Sequence, residues 1–262
     1  MNASPSQYEA SKRVGNRYKR ILRALDSVIW PPRSLVTGEQ VAGPGLIEPE
    51  YWGHLLFLYG AKCEQCGEPF EMDFGEGVIC AGCLADPPEF ARARAALAYN
   101  DVSRRIVLRL KHAGDRSGLK TLGRWMAKTM PELLGTADFI APVPLHHTRL
   151  IRRGFNQSLL LAERLAKESR TPLARHWLKR KRATPSQAGK SATGRKRNVQ
   201  GAFVVPDRFV GRLTGKRVLL VDDVFTTGAT ANACARALKK TGVEHVDVAT
   251  LVRVVNSIDP TI

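Results

Sequence analysis

Between Val218 and Thr230 the chain reads Val-Leu-Leu-Val-Asp-Asp-Val-Phe-Thr-Thr-Gly-Ala-Thr, and no other stretch restricts the possible folds as tightly. Four apolar residues, two of them β-branched, have the composition of a strand buried on both faces. Two carboxylates stand at its C-terminal end, and a small polar loop leads into Ala231–Lys240, which has helical composition. A Thr-Thr-Gly loop opening a helix offers backbone N–H groups, hydroxyl donors and the positive helix end to a phosphate. Gly228 lets the backbone approach closely. Adjacent carboxylates can accept hydrogen bonds from paired ribose hydroxyls or hold Mg²⁺ through water. The plainer alternative is an ordinary strand-to-helix turn with Thr230 as N-cap.

The stretch resembles the phosphoribosyl-pyrophosphate (PRPP) loop of type I phosphoribosyltransferases. That resemblance implies that Asp222 and Asp223 face the ribose hydroxyls and are the catalytic pair. Thr226, Thr227, Gly228, Ala229 and Thr230 would wrap the 5′-phosphate. It implies a binding cradle and leaves turnover open.

Cys63-x-x-Cys66 is followed, after thirteen residues, by Cys80-x-x-Cys83. Two such knuckles close a tetrahedral four-thiolate site, so Cys63, Cys66, Cys80 and Cys83 are expected to hold one Zn²⁺ with a structural role, since no position is left for water. Upstream, Ser34-Leu35-Val36-Thr37-Gly38-Glu39 matches Cys63-Glu64-Gln65-Cys66-Gly67-Glu68 in frame, with hydroxyls where thiols would be. Glu48-Pro49-Glu50-Tyr51-Trp52 falls where a second knuckle would follow. Residues 31–60 are therefore expected to carry no metal and to cohere through Trp30, Trp52, Leu55, Leu56 and Phe57. A Cys63→Ser change is expected to loosen this amino-terminal part alone. Cys234, among Ala and Leu, reads as a small buried hydrophobe.

Hydrophobic residues make up 44% of the 262-residue chain, enough for a core, while the net charge of +17 points to a polyanionic partner. Nucleic acid is the first candidate and an anionic membrane face the second. Met1–Arg20 has no apolar signal region and no run approaches the ~18 apolar residues of a spanning helix. The expected location is the cytoplasm, with the inner face of the membrane as an alternative docking surface. Residues 1–17 read as a disordered basic tail. Ile21, Leu22, Leu25, Val28 and Ile29 fall at helical spacing before Pro31-Pro32. That helix could serve a partner or membrane, or pack on its own domain.

From residue 92, strand and helix signals alternate as in an α/β domain. Strands are expected around Ala95–Tyr99, Phe139–Ala141, Val218–Val221 and Val246–Val252. Helices are expected at Ser103–Lys111, Leu119–Met130 and Leu159–Lys167. In such sheets the ligand crevice lies outside the C-terminal strand ends, which brings Pro142–Leu145 and Asp222–Thr230 together. Arg149 and Arg153, beside Gly154-Phe155-Asn156-Gln157, could clamp phosphates, bind a nucleic-acid backbone, or merely flank a solvated helix start with Phe155 in the core. His146 and His147 read as exposed loop histidines. Arg175–Arg197 contains nine Lys or Arg and no acid, so it is expected to be a mobile loop that closes over PRPP, holds single-stranded nucleic acid, or is simply solvated.

In order, the Cys₄ ribbon, Leu110-Lys111-His112-x-Gly114-Asp115, Pro142-Val143-Pro144-Leu145, Arg153-Gly154-Phe155-Asn156-Gln157, Thr184-x-x-Gln187, Arg197-Asn198-x-x-Gly201-Ala202-Phe203 and the PRPP loop are similar to the ComF (competence protein F) family. The resemblance covers about residues 20–255. It implies a helix and degenerate ribbon half at 18–60, a ribbon at 61–90 and a type I phosphoribosyltransferase-like parallel sheet with flanking helices at 92–256. It also implies a link to uptake of single-stranded DNA in natural transformation beside a competence helicase. Pro144 would join the PRPP site, with Mg²⁺ carried by PRPP. Lys111, Arg149, Arg153, Lys179, Arg180, Lys181, Arg182, Arg195 and Arg197 would meet nucleic acid or pyrophosphate. Two departures stand out: Ser34, Thr37, Glu48 and Tyr51 where longer members carry Cys pairs, and His112 where Tyr is usual. DNA handling and phosphoribosyl transfer to an unknown acceptor both fit.

Overall fold

The computed structural model describes residues 31–112, 118–182 and 201–255. In chain order these form α1 (Pro49–Trp52), α2 (Ala81–Ala85), β1 (Arg92–Ala98), α3 (Asp101–His112), α4 (Leu119–Thr129), α5 (Pro131–Leu134), β2 (Phe139–Pro142), α6 (His147–Arg153) and α7 (Gln157–Ser169). They continue with β3 (Lys179–Arg180), β4 (Phe203–Val204), α8 (Val210–Leu213), β5 (Arg217–Phe225), α9 (Ala229–Lys239) and β6 (His245–Arg253). The expected tail at 1–17, the 21–29 helix, Trp30, Thr184, Gln187, Arg195 and Arg197 lie outside the described residues.

β1, β6, β5 and β2 form, in that order, one parallel sheet. β5 pairs on both edges, with Val218 opposite Val246 and Phe139. Its side chains alternate between two apolar layers, the period of two that a strand imposes. Leu219 and Val221 join the layer of Met126 and Leu161; Val218 and Leu220 join that of Cys234, Leu238 and Trp177. Both faces are covered by helices, which is why the run is continuously apolar. Cys234 is fully buried, as its neighbours imply.

The basic stretch is not loose throughout. Lys179 and Arg180 pair antiparallel with Val204 and Phe203, because Trp177, Leu178 and Phe203 bury themselves in the second layer. Arg180 lies over the Phe203 ring, its guanidinium carbon 5.2 Å from the centroid.

The two amino-terminal units share one local conformation. Ser34 N–H bonds Glu39 O at 2.8 Å and Cys63 N–H bonds Glu68 O at 2.8 Å. Arg33 bridges Gln40 as Lys62 bridges Pro69, and Gly38 and Gly67 both take positive φ. The Thr37 amide donates to Ser34 Oγ at 3.3 Å where the Cys66 amide donates to Cys63 Sγ at 3.5 Å. In the upstream unit a carboxylate stands at the centre: Glu48 accepts from Ser34 Oγ at 2.5 Å and from Thr37 Oγ1. Burial works to raise the Glu48 carboxyl, but the two hydroxyls outweigh it and hold it below its ordinary range. The apolar set expected to hold residues 31–60 is thus supplemented by a polar cluster. Of that set Leu55 is buried, whereas Trp52 and Leu56 are largely exposed.

Candidate functional site: a braced carboxylate pair above the sheet

β5 runs past the carboxylates to Phe225, so Asp222 and Asp223 are strand residues, Asp222 opposite Thr250 of β6. The first turn of α7 braces both. Ser158 Oγ donates to Asp222 Oδ1 at 2.8 Å, and Gln157 Nε2 reaches Asp223 Oδ2 at 3.4 Å. Lys111 Nζ, from the end of α3, is 2.9 Å from Asp223 Oδ2. The Arg153–Gln157 segment explains itself through these contacts. Gly154 ends α6 at φ 76°, Asn156 caps α7 by accepting from Ser158 N, and its amide donates to Val143 O at 3.0 Å. That ties α7 to the Pro142–Leu145 loop, and Phe155 packs against the core.

Burial raises the Asp222 carboxyl from its ordinary 3.8 to about 7, repulsion from Asp223 adds to this, and Ser158 and Lys111 oppose it. Native protein therefore keeps a proton there that the unfolded chain has already released. Stability is expected to fall as pH rises between about 4 and 7 and then to level off. Denaturant midpoints across that range test this: Asp222→Asn should flatten the slope, and Lys111→Met should extend it to higher pH.

Beyond the pair, Gly228 caps α9 in the left-handed conformation, φ 71°. The conformation favours glycine, and a Cβ there would stand 3.0 Å from Phe225 Cζ and press the ring aside. Thr230 lies within α9 and is not its N-cap. The Thr227 Oγ1 hydroxyl is buried without a hydrogen-bond partner. A cavity of 520 Å³ opens over Asp222 and Asp223, bordered by Pro144, Thr226 and Thr230 and by Arg149, Arg153 and Arg180. Burial first, then Arg153 and Arg152, lowers the Arg149 guanidinium; burial first, then Arg149, lowers Arg180. Arg153 donates to Gln157 Oε1 at 3.2 Å, while its buried Nε has no partner. Such a cluster of cations is complementary to a polyanion. Lys179, Lys181 and Arg182 are exposed and do not border the cavity. His146 is not the exposed loop residue expected. It is buried, caps α6 through Nδ1, and is held below its ordinary value by burial, His147, Arg180 and Arg149. His147 is exposed.

The four cysteines converge, their sulfurs all within 4.8 Å of one another. Cys66 Sγ and Cys80 Sγ are 3.7 Å apart, close to the ~3.8 Å edge of a tetrahedron with metal–sulfur bonds of about 2.3 Å. Burial opposes ionisation of Cys63, but the Cys80 and Cys66 amides outweigh it and pull the thiol down to about 7. The donor set fits a metal. Among the described residues no other Cys, His or carboxylate group is so placed.

Ser158 and Gln157 are the bracing residues that sequence reasoning missed as partners of the aspartates, although the Asn156-Gln157 motif lies beside them. A family model of the phosphoribosyl transferase domain matches residues 156–260, which takes in both the bracing turn and the loop. Competence protein F of Haemophilus influenzae is 32% identical over 199 residues, covering 73% of this chain and 84% of its own. The chain belongs to the ComF family. The DNA utilization protein YhgH of Escherichia coli, also 32% identical, covers 73% of this ComF chain and 83% of its own. A solved orotate phosphoribosyltransferase from Aeropyrum pernix overlaps 62% of this chain and 70% of its own at 21% identity and a TM-score of 0.34. In this ComF-family member no helix among the described residues is long and apolar enough to cross a membrane.

Proposed function

We propose that this protein handles incoming single-stranded DNA, as the family resemblance implies, and that its phosphoribosyltransferase-type pocket binds Mg²⁺–PRPP. The observation that carries the second half is the braced pair Asp222/Asp223 under a cavity walled by Arg149, Arg153 and Arg180. The carboxylates would accept from the ribose 2′- and 3′-hydroxyls, the buried Thr227 hydroxyl and the α9 amides would take the 5′-phosphate, and the arginines would take pyrophosphate. Mg²⁺ would arrive with PRPP. Lys111, now on Asp223, would be free to turn to an anion once the ribose competes for that carboxylate. A link to DNA is supported by relatives named for competence and DNA utilization, and its binding by the charge of +17; a competence helicase is the partner the family resemblance implies. We assign one structural Zn²⁺ to the four cysteines, since four thiolates leave no open position.

Calorimetric titration of Mg²⁺–PRPP tests the pocket. Above pH 7, where both carboxylates are ionised, wild type should bind, and Asp222→Asn/Asp223→Asn should bind about 100-fold or more weakly, since two charge-assisted hydrogen bonds are replaced by neutral ones. Equal binding by both would remove the carboxylates from the site. A second reading, phosphoribosyl transfer, is favoured by one feature: past the aspartates the cavity continues to Tyr99, Leu108 and Val254, exposed by 41, 38 and 37%. That wall could seat an acceptor while the arginines steady departing pyrophosphate. Pyrophosphate release from PRPP in the presence of a panel of nucleobases and amines would establish turnover; none with any acceptor would leave the pocket as a sensor or anchor.

A further inference from the structure

Trp52, Phe57, Tyr59 and Trp125 are spread over more than seventy positions yet meet on one face, and none of them borders the 520 Å³ cavity. Trp125 lies 5.6 Å from Trp52 and 5.3 Å from Phe57 between ring centroids, and Phe57 stacks on Tyr59 at 5.8 Å. Phe57 and Trp125 are half-buried and packed on the core, whereas Trp52 is 50% and Tyr59 59% exposed. The mount is rigid. Leu58 N–H donates to Ala96 O at 3.0 Å and Ala98 N–H to Leu56 O at 2.8 Å, so the 56–59 segment is bonded along β1.

The charge around the rings is one-sided. Segments 49–62 and 119–129 carry Lys62, Lys120, Arg124 and Lys128 against a single acid, Glu50. Lys120, Arg124 and Lys128 are exposed at four-residue intervals along α4, with Lys128 one turn from Trp125; among the described residues Arg124 has a carboxylate near, Glu168 at 4.0 Å. Aromatic faces gathered at a sheet edge, Phe57 and Tyr59 on the edge itself and Trp52 and Trp125 on the adjoining helices, with cations nearby, are what unpaired bases and their phosphates require. An acidic protein surface would use the cations and leave the rings idle.

We propose that Trp52, Phe57, Tyr59 and Trp125 form a stacking platform for the bases of single-stranded nucleic acid, with Lys120, Arg124 and Lys128 holding its phosphates. This rests on the DNA-handling reading above and gives it a place.

The test is tryptophan fluorescence of the full-length protein titrated with oligothymidylate and with an abasic oligonucleotide of equal length. Oligothymidylate should quench emission and bind about five- to a hundredfold more tightly than the abasic strand. Trp52→Ala should abolish that difference while keeping the salt dependence, and Trp52→Phe should restore it; Trp52 is chosen because it is half exposed, whereas Trp125 packs on the core. If both strands bind equally to wild type, or Trp52→Ala keeps the preference, the platform is overturned while DNA handling stands. If neither strand binds, both fall. A response to anionic lipid vesicles instead of oligothymidylate assigns the face to a membrane and overturns the proposal. So does shielding of Trp52 from acrylamide in the free protein, which would mean that a second copy or another part of the chain covers it.

Discussion

Replacing Arg253 by Met is expected to destabilise the protein by about 3–5 kcal/mol, the cost of breaking a buried ion pair by removing one member. Arg253 ends β6 and is only 4% exposed. Its guanidinium donates to the Cys66 carbonyl and to the Glu68 carboxylate, and lies 5.1 Å from the centroid of Phe225. Phe225 is the ring against which Gly228 packs. One side chain therefore connects the cysteine knuckle to the last residue of β5 and the start of the phosphate-type loop. Methionine keeps much of the volume but takes the guanidinium away from Glu68 and the Cys66 carbonyl. Urea denaturation would measure the loss, and PRPP titration of the folded variant should show weaker binding as Phe225 loses its cover. A change within about 0.5 kcal/mol would mean that the contact is a solvated pair of the kind that contributes little.

Stripping the metal, or changing Cys63 to Ser, is expected to act on the sheet as well as on the knuckle. Purified protein should contain one zinc per chain, because the upstream unit offers Ser34, Thr37 and Glu48 in place of thiols; two would contradict that hydrogen-bonded centre. Coordination in small metal sites contributes folding free energy directly, here on the order of several kcal/mol. The sequence-level expectation confines the damage to the amino-terminal part. The structure gives a different expectation. The Ala93 amide donates to Gln65 O at 2.7 Å, and a Cβ on Gly67 would stand 2.3 Å from Ala93 O, so the knuckle lies directly on β1. Arg94, 4% exposed, spans the same seam from Glu64 to Glu132. Hydrogen exchange after chelation should accelerate in β1 and at the ends of β5 and β6, with α7 much less affected. Acceleration confined to residues 61–90 would restore the separable ribbon.

How much of this was legible beforehand depends on how far apart the cooperating groups are. The α/β order, the buried strand at Val218–Val221, the turn at Gly228 and the cysteine spacing are local. Each is imposed by side-chain period, by the φ a turn demands or by the reach of two knuckles, so consecutive residues carry the whole signal. The basic stretch was less legible, because Trp177 and Leu178 bury its first residues and Phe203 pairs with Arg180, packing that composition does not reveal.

The sequence by itself determined that a carboxylate pair and a Thr-Thr-Gly loop share one strand-to-helix junction, and that four thiols can close on one metal. Only the tertiary structure decided what holds them. Ser158 and Gln157 reach Asp222 and Asp223 across 64 and 66 positions, and Arg253 reaches Cys66 across 187. Long-range partners of this kind leave no periodicity: a serine, a glutamine or an arginine looks alike whether it faces water or a buried acceptor. Burial distinguishes them, because a buried charge or hydroxyl must find its partner wherever the fold brings one.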